Sequence, residues 1–509
     1  MKFKLLTLCL FCTLFAFGQM QDLAKLVDGK QIFNTVLFDS FDNLYGYFYI
    51  YQIDTKNKKT IQYEYVVLDK NLNKINNGTF EGPVKTIFLD PKFNDCTLMG
   101  DNLILDKLYL NNTQGRAASY LNTVQIISLK NNTVSGEKKF LNKEFVDADT
   151  YHLKPFSMSF AKKQYSISAF SNTYNSGFFV TDIINKNEIT FFDSNFRKQW
   201  CYTINGKDSL NIVHSNFIIK MLKDNAIYAT EECYDKTTRI TSYKVTTIDF
   251  TTGKKKYDYV INTNKDKLYH TYESFKTLDN KLVLMGHYNT NIGYYDFRSY
   301  YKGLYKIMLD ENGKEIEKYY HPWSDFDSKI KLSRKGRAKS NYFLLDKNYF
   351  LFEDGSVSIL KEMYKPHRNR FWFIPVIRWF TGTRQRIKNF LIFNFDNKFN
   401  LNKVDTIRKD LTYNNETDYL FSQTLKKDKG VVFFHTNMMK DSTTHKKNYM
   451  LGINSIIGGK LTQELIPLYQ KKKYIITPMP AKEGYIMLQE YNENEKDKYN
   501  QIRLEKLNY

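Results

Sequence analysis

Cysteine is scarce in this chain, with five in 509 residues, and two of these, Cys9 and Cys12, fall within the first twelve positions. The other three, Cys96, Cys201 and Cys233, are odd in number and far apart, which excludes a disulfide framework. At most one pair can form, and Cys201–Cys233 is favoured if their strands are neighbours. Long apolar runs are also missing beyond the N-terminus, so no later stretch reads as a transmembrane segment. Catalytic signatures are absent as well. The eight histidines lack metal-ligand spacing, and there is neither a Gly-x-Ser-x-Gly elbow nor a phosphate-cradling Gly-x-x-x-x-Gly-Lys loop. No cofactor and no metal site is therefore expected. Stability must come from a large core. With 39 Tyr and 39 Phe against 9 Pro, the composition suits half-buried strands.

The N-terminus has the form of a secretory signal peptide. Met1-Lys2-Phe3-Lys4 is a short positive region, Leu5 to Phe17 is apolar apart from Thr7 and Thr13, and Ala16-Phe17-Gly18 offers small residues before a cut at Gln19. Residues 1–18 are assigned to the signal and 19–509 to the mature protein. Neither early cysteine follows the small residue that a lipoprotein cut needs, so no lipid anchor is expected. The expected location is outside the cytoplasm, in the periplasm or at the cell surface. The lack of a C-terminal sorting domain after the last repeat favours the periplasm, or a surface held by partners.

What the chain does have is a repeat. An apolar stretch ending in Asp or Asn, followed by a short polar turn, recurs with its turn residue at Asp69, Asn131, Asp193, Asp249, Asp310, Asp396 and Asn454. The spacings are 62, 62, 56, 61, 86 and 58 residues. A truncated eighth copy, Ile502 to Leu507, runs to the C-terminus. A second marker, a polar turn entering an apolar strand, appears at Asn102, Asn225, Asn280 and Gly484 and agrees on a unit near sixty. Alternating strands repeated eight times predict an all-β fold, a β-propeller of seven or eight blades. The last unit has no room for an outer strand. Gln31–Phe38 is strand-like and is expected to supply it, closing the ring and removing the exposed sheet edge. A β-sandwich pair ranks second because it predicts no sixty-residue period.

The 86-residue interval carries an insertion at 364–386, where Trp372 and Trp379 alternate with Arg368, Arg370, Arg378, Arg384 and Arg386. Pro366 and Pro375 argue against a long helix. Large apolar groups among cations suit a membrane interface, an anionic glycan or a partner surface; the plainer expectation is a long hairpin whose aromatics pack over a neighbouring blade. These seven residues are the candidate binding set. The net charge of +21, reduced by two when Lys2 and Lys4 leave, is spread through every unit rather than gathered on one face, which argues against a nucleic-acid partner.

Other local patterns read as background. Five scattered Ser-x-x-Lys matches in a lysine-rich chain mark no nucleophile. Asp310-Glu311-Asn312-Gly313 resembles the start of a calcium loop, but His321 occupies the place of the required Glu. Glu231 and Glu232, adjacent on a strand, point to opposite faces and defeat paired acid–base work.

Gly46-Tyr47-Phe48-Tyr49-Ile50-Tyr51-Gln52-Ile53-Asp54, then Leu68-Asp69-Lys70-Asn71-Leu72-Asn73, and later Phe393 to Leu401, resemble stretches of a family of uncharacterised exported proteins from Bacteroidetes-type bacteria. The resemblance spans most of the mature chain and implies no functional residues. The resulting expectation is a non-enzymatic exported propeller that binds an envelope protein, glycan or peptide, with peripheral membrane contact at most. The alternative is a glycan- or peptide-active hydrolase or lyase with its site in the central funnel.

Overall fold

The computed structural model describes residues 20–39, 42–85, 89–111, 119–141, 143–150, 165–171, 176–182, 188–203, 212–223, 225–237, 240–260, 268–289, 301–367, 384–414, 417–425, 429–440, 447–468, 474–492 and 499–508. Its strands form eight antiparallel sheets, the blades of a β-propeller, and among the described residues the helix is confined to short 3₁₀ turns. First strands of successive blades abut, as seen for Lys30–Phe38 against Leu89–Met99 and for Ser274–Leu278 against Phe343–Leu351. These strands ring the central axis. Among the described residues no helix is long and apolar enough to cross a membrane.

The core is distributed over the eight blade–blade interfaces, each with its own hydrophobic cluster. The second strand of blade 1, Leu44–Asn57, illustrates how the sequence encodes this. Tyr47, Tyr49 and Tyr51 pack against Met487, Ile502 and Leu504 of blade 8, while Phe48 and Ile50 face Leu103 and Leu105 of blade 2. Successive side chains on a strand point to opposite faces. Because both faces are covered, the middle strands read as continuous apolar runs rather than polar–apolar alternation.

The repeated Asp is the turn between third and fourth strands. Asp69 Oδ1 accepts from the backbone N–H groups of Asn71 and Asn73, Asp193 Oδ1 from Asn195 and Arg197, and Asp310 Oδ1 from Asn312 and Lys314. This side-chain capping of a tight turn is why Asp recurs there, and at Asp310 it accounts for the calcium-loop-like sequence. Asn454 breaks the rule: it is buried inside strand Lys447–Ile457, donating to His435 Nδ1 at 2.9 Å, and the turn follows at Gly458-Gly459.

Three further expectations are revised. An N-terminal strand does close the ring, but it is Met20–Asp22, paired with Arg503, Ile502 and Gln501 as the outer strand of blade 8. Gln31–Phe38 lies instead within the first strand of blade 1. The blade count is eight. The 86-residue interval holds two expansions. One is the connection from blade 5 to blade 6, where Trp323 and Phe326 bury against both blades. The other is a long hairpin whose strands Val357–His367 and Arg384–Phe395 stay paired out to His367 and Arg384. Cys96, Cys201 and Cys233 are free thiols, and Cys201 and Cys233 lie in different blades, on strands Lys198–Thr203 and Ala226–Asp235.

Candidate functional site

Inner strands of blades 1, 2, 4, 5, 6 and 7 depart from regular pairing, and the departures of blades 4, 5 and 6 meet at one place. In blade 4, Ile219 faces Ala229 and Met221 faces Tyr228, leaving Lys220 as an extra residue. In blade 6, Asp346 faces Lys361 and Asn348 faces Leu360, leaving Lys347 extra. In blade 5 the inner strand is split, His270 opposite Tyr288 and Ser274 opposite Met285, so Thr271, Tyr272 and Glu273 span the gap opposite only two residues. Bulges re-aim side chains and bend a strand locally. Here they bring Lys220, Glu273, Asp346 and Lys347 to one cleft of about 290 Å³, shared by blades 4, 5 and 6 and also lined by Ser274 and Asn348.

The bulge carrying Glu273 depends on a glycine opposite it. A Cβ on Gly286 would lie 1.9 Å from the Thr271 carbonyl oxygen and 3.2 Å from the Glu273 nitrogen. The close approach is held by hydrogen bonds: Thr271 N donates to His287 O at 2.9 Å, Glu273 N to Met285 O at 3.1 Å, and the Tyr305 hydroxyl to Thr271 O at 2.9 Å.

Behind the cleft is a row of buried charges. Asp346 pairs across the sheet with the Lys361 ammonium, which also lies 2.9 Å from His287 Nε2. His287 Nε2 is 3.3 Å from the other Asp346 oxygen, and Tyr301 stacks on the imidazole at 4.2 Å. Burial drives the His287 pKa down to about 3, so the ring is neutral over the physiological range. Burial alone would raise the Asp346 carboxyl, but the charge and hydrogen bond of the Lys361 ammonium outweigh it and hold the group below its ordinary value. Glu273 behaves oppositely. It is reached by water from the channel yet ringed by protein, and this crowding, with Asp346 close by, pushes its carboxyl up.

Lys347 links the cleft to a second buried group at the junction of blades 6 and 7. Its Nζ is 3.2 Å from Glu362 Oε2, and Lys409 Nζ reaches Glu362 Oε1 at 2.9 Å and Asp418 Oδ2 at 2.5 Å. Thr417 donates to Glu362 and Thr412 to Asp418. Two cations thus face two carboxylates, with both Glu362 oxygens and Asp418 Oδ2 in contact, the condition under which buried charge is tolerated.

Of the predicted binding residues, Arg368, Arg370, Trp372, Arg378 and Trp379 lie outside the described residues, as does the Arg384 side chain. Arg386 sits in the hairpin strand opposite Lys365 and Tyr413. The structure therefore brings together a different set. Lys220, Glu273 and Asp346 carry no motif, and the available signal was a charged residue interrupting an apolar strand, as in Phe343-Leu344-Leu345-Asp346-Lys347-Asn348-Tyr349-Phe350.

The arrangement defines a β-propeller with a polar, mixed-charge cleft on its inner wall. Residues 1–412 match a family of unknown function, DUF6770, and the chain belongs to that family. No curated protein matches the sequence. Among solved structures, the chain is similar to the WD40 domain of SCAP from fission yeast, at 9% identity and a TM-score of 0.38, covering 96% of this chain and 94% of that one. It is also similar to the β-propeller domain of the Trilobed protease from Pyrococcus furiosus, at 13% identity and a TM-score of 0.34, covering 84% and 97%.

Proposed function

We propose that this protein is a binding propeller of the cell envelope whose ligand seats in the cleft between the inner strands of blades 4, 5 and 6. The observation that supports this reading is the convergence of three irregular strands from different blades on one polar recess. Recesses with a few convergent polar groups are where small ligands bind, and here the wall behind is fixed by buried ion pairs. Secretion draws its support from the charged, apolar and small-residue sequence of positions 1–18. The test is calorimetric titration of the purified protein with short peptides and neutral oligosaccharides. Binding that disappears in a Lys220→Ala/Glu273→Ala double variant supports the cleft; binding that survives it refutes the assignment.

One observation favours a hydrolytic reading: Glu273, with a raised carboxyl, neighbours Asp346, held ionised, and such divergence is how paired carboxylates divide acid and base roles. Against it, Asp346 is engaged by Lys361, and His287 and Lys361 are 3% and 0% exposed, so neither can touch a substrate. Glu273 accepts from the Thr271 side chain but enters no ion pair among the described residues, which leaves a single carboxylate facing the cleft and favours binding. Chromatography of the same ligands after long incubation decides the matter, because product formation that stops in Glu273→Gln while binding persists would establish catalysis.

A further inference from the structure

The charges that line the cleft fall into two kinds. Asp346 and Lys347 are answered from behind by Lys361 and Glu362, and Lys276, the third lysine on the cleft wall, has an interaction of its own. Lys220 and Glu273 are not: both are exposed to the channel, and among the described residues neither enters an ion pair. They come from adjacent blades, each from an irregular stretch of its inner strand, and each is held where the other's field reaches it without contact. Two opposite charges on flexible stems at one recess ordinarily either meet or remain solvated. These stay apart because their backbones belong to separate blades fixed by the apolar interface of Tyr228, Val245, Leu282 and Leu284.

We infer that the cleft takes a small zwitterion, a free amino acid or dipeptide, with the ligand carboxylate on Lys220 and the ligand ammonium on Glu273. The inference rests on the binding reading above and names its ligand class. Three features select this chemistry. One cation and one carboxylate remain for the ligand, which matches one charge of each sign. Beside them, Ser274 supplies a hydroxyl suited to orienting a peptide-like backbone, while the Asn348 amide is held in the wall by Tyr419, Ser422 and the Tyr349 N–H. The volume, about 290 Å³, stands at the lower end for ligand sites and suits one or two residues rather than a protein loop. A doubly charged anion would leave Glu273 facing like charge, and a sugar would leave both charges desolvated and unpaired, a costly state.

The experiment uses the full mature chain in isothermal titration against a mixture of the common amino acids, a dipeptide mixture, the same dipeptides N-acetylated, C-amidated or both, and a neutral oligosaccharide. Binding of either free mixture at least tenfold tighter than the doubly capped one is expected, a difference of about 1.4 kcal/mol. Preference between the two free mixtures tells an amino-acid ligand from a dipeptide. Glu273→Gln should remove discrimination against N-acetylation alone, and Lys220→Met discrimination against C-amidation alone; both side chains are solvent-exposed, so the variants should fold, which circular dichroism checks. Equal binding of free and capped dipeptides overturns the zwitterion assignment. Binding of a neutral oligosaccharide that depends on Asn348 but is indifferent to both charge variants also overturns it, while leaving the cleft itself as a binding site. No binding of any probe, oligosaccharides included, sinks both readings.

Discussion

Met20 lies opposite Arg503 in an antiparallel ladder, so the first described strand completes the sheet built by the end of the chain. The strand is only three residues long, but it is followed by Leu23, fully buried among Tyr47, Tyr49, Tyr51 and Ile502, whose carbonyl accepts from the Tyr51 hydroxyl at 3.1 Å. The closing segment thus joins two blades as well as capping a sheet edge. Leu23→Ala should lower unfolding free energy by about 2–5 kcal/mol, the range for emptying a well-packed leucine site. Urea denaturation followed by tryptophan fluorescence measures it. A loss under 1 kcal/mol would mean that the ring is held closed by the other interfaces alone.

The blade period was legible because it rests on local chemistry: an Asp that caps its own turn recurs between the third and fourth strands of five blades, at Asp69, Asp193, Asp249, Asp310 and Asp396. Asn454 misled because an amide can cap a turn or satisfy a buried histidine, and only the partner, His435, decides which. Ring closure by Met20–Asp22 was hidden for a related reason, since a three-residue strand has no period and its partner is at the opposite end of the sequence. The cleft was illegible in detail. A bulge is one extra residue in one strand relative to another, so Lys220 and Lys347 acquire their positions from pairing registers that a single strand does not contain.

Gly286 is the residue on which the geometry of the cleft most depends, since any side chain there meets the Thr271 carbonyl. Gly286→Ala should push the Thr271–Glu273 bulge toward the channel and misplace Glu273. Ligand binding is expected to fall at least tenfold, about 1.4 kcal/mol, with stability reduced by roughly 1–3 kcal/mol through overpacking. Titration on folded protein separates the two effects. Unchanged affinity would show that Glu273 is not a ligand contact.

Lys409 is the hub of the charges between blades 6 and 7, touching both Glu362 and Asp418 and lying 4.4 Å over the Phe390 ring. Lys409→Met keeps the stem packing but strips the two buried carboxylates of their shared cation. Breaking a buried pair from one side costs about 3–5 kcal/mol, far more than an exposed ion pair. Adding Glu362→Gln and Asp418→Asn should recover part of the loss, because the uncompensated charge is then gone. A single variant as stable as the parent would mean that water or Lys347 takes over the hub.

Acid sensitivity should arise first from histidine. Burial holds His270 and His287 down to about 3 and His435 to about 4, with Lys318 adding to the effect at His270 and Lys409 at His435. Each would titrate near 6.5 in the unfolded chain. Between those values the unfolded state binds the extra proton, so the stabilisation is complete above about pH 6.5 and is lost as pH falls toward 3–4. The limiting slope is about 1.4 kcal/mol per pH unit for each histidine. Glu362 adds its own loss only lower, as pH falls below its unfolded value of 4.5, since Lys409 and Lys347 overcome burial and hold its folded pKa down. Urea midpoints measured from pH 7 to 5 therefore report the histidines, offset in part by Glu273, whose raised carboxyl takes up its proton more readily in the folded state. His270→Phe should flatten that slope by close to one proton whatever it does to absolute stability, whereas an unchanged slope would place the imidazole in solvent contact in the folded state.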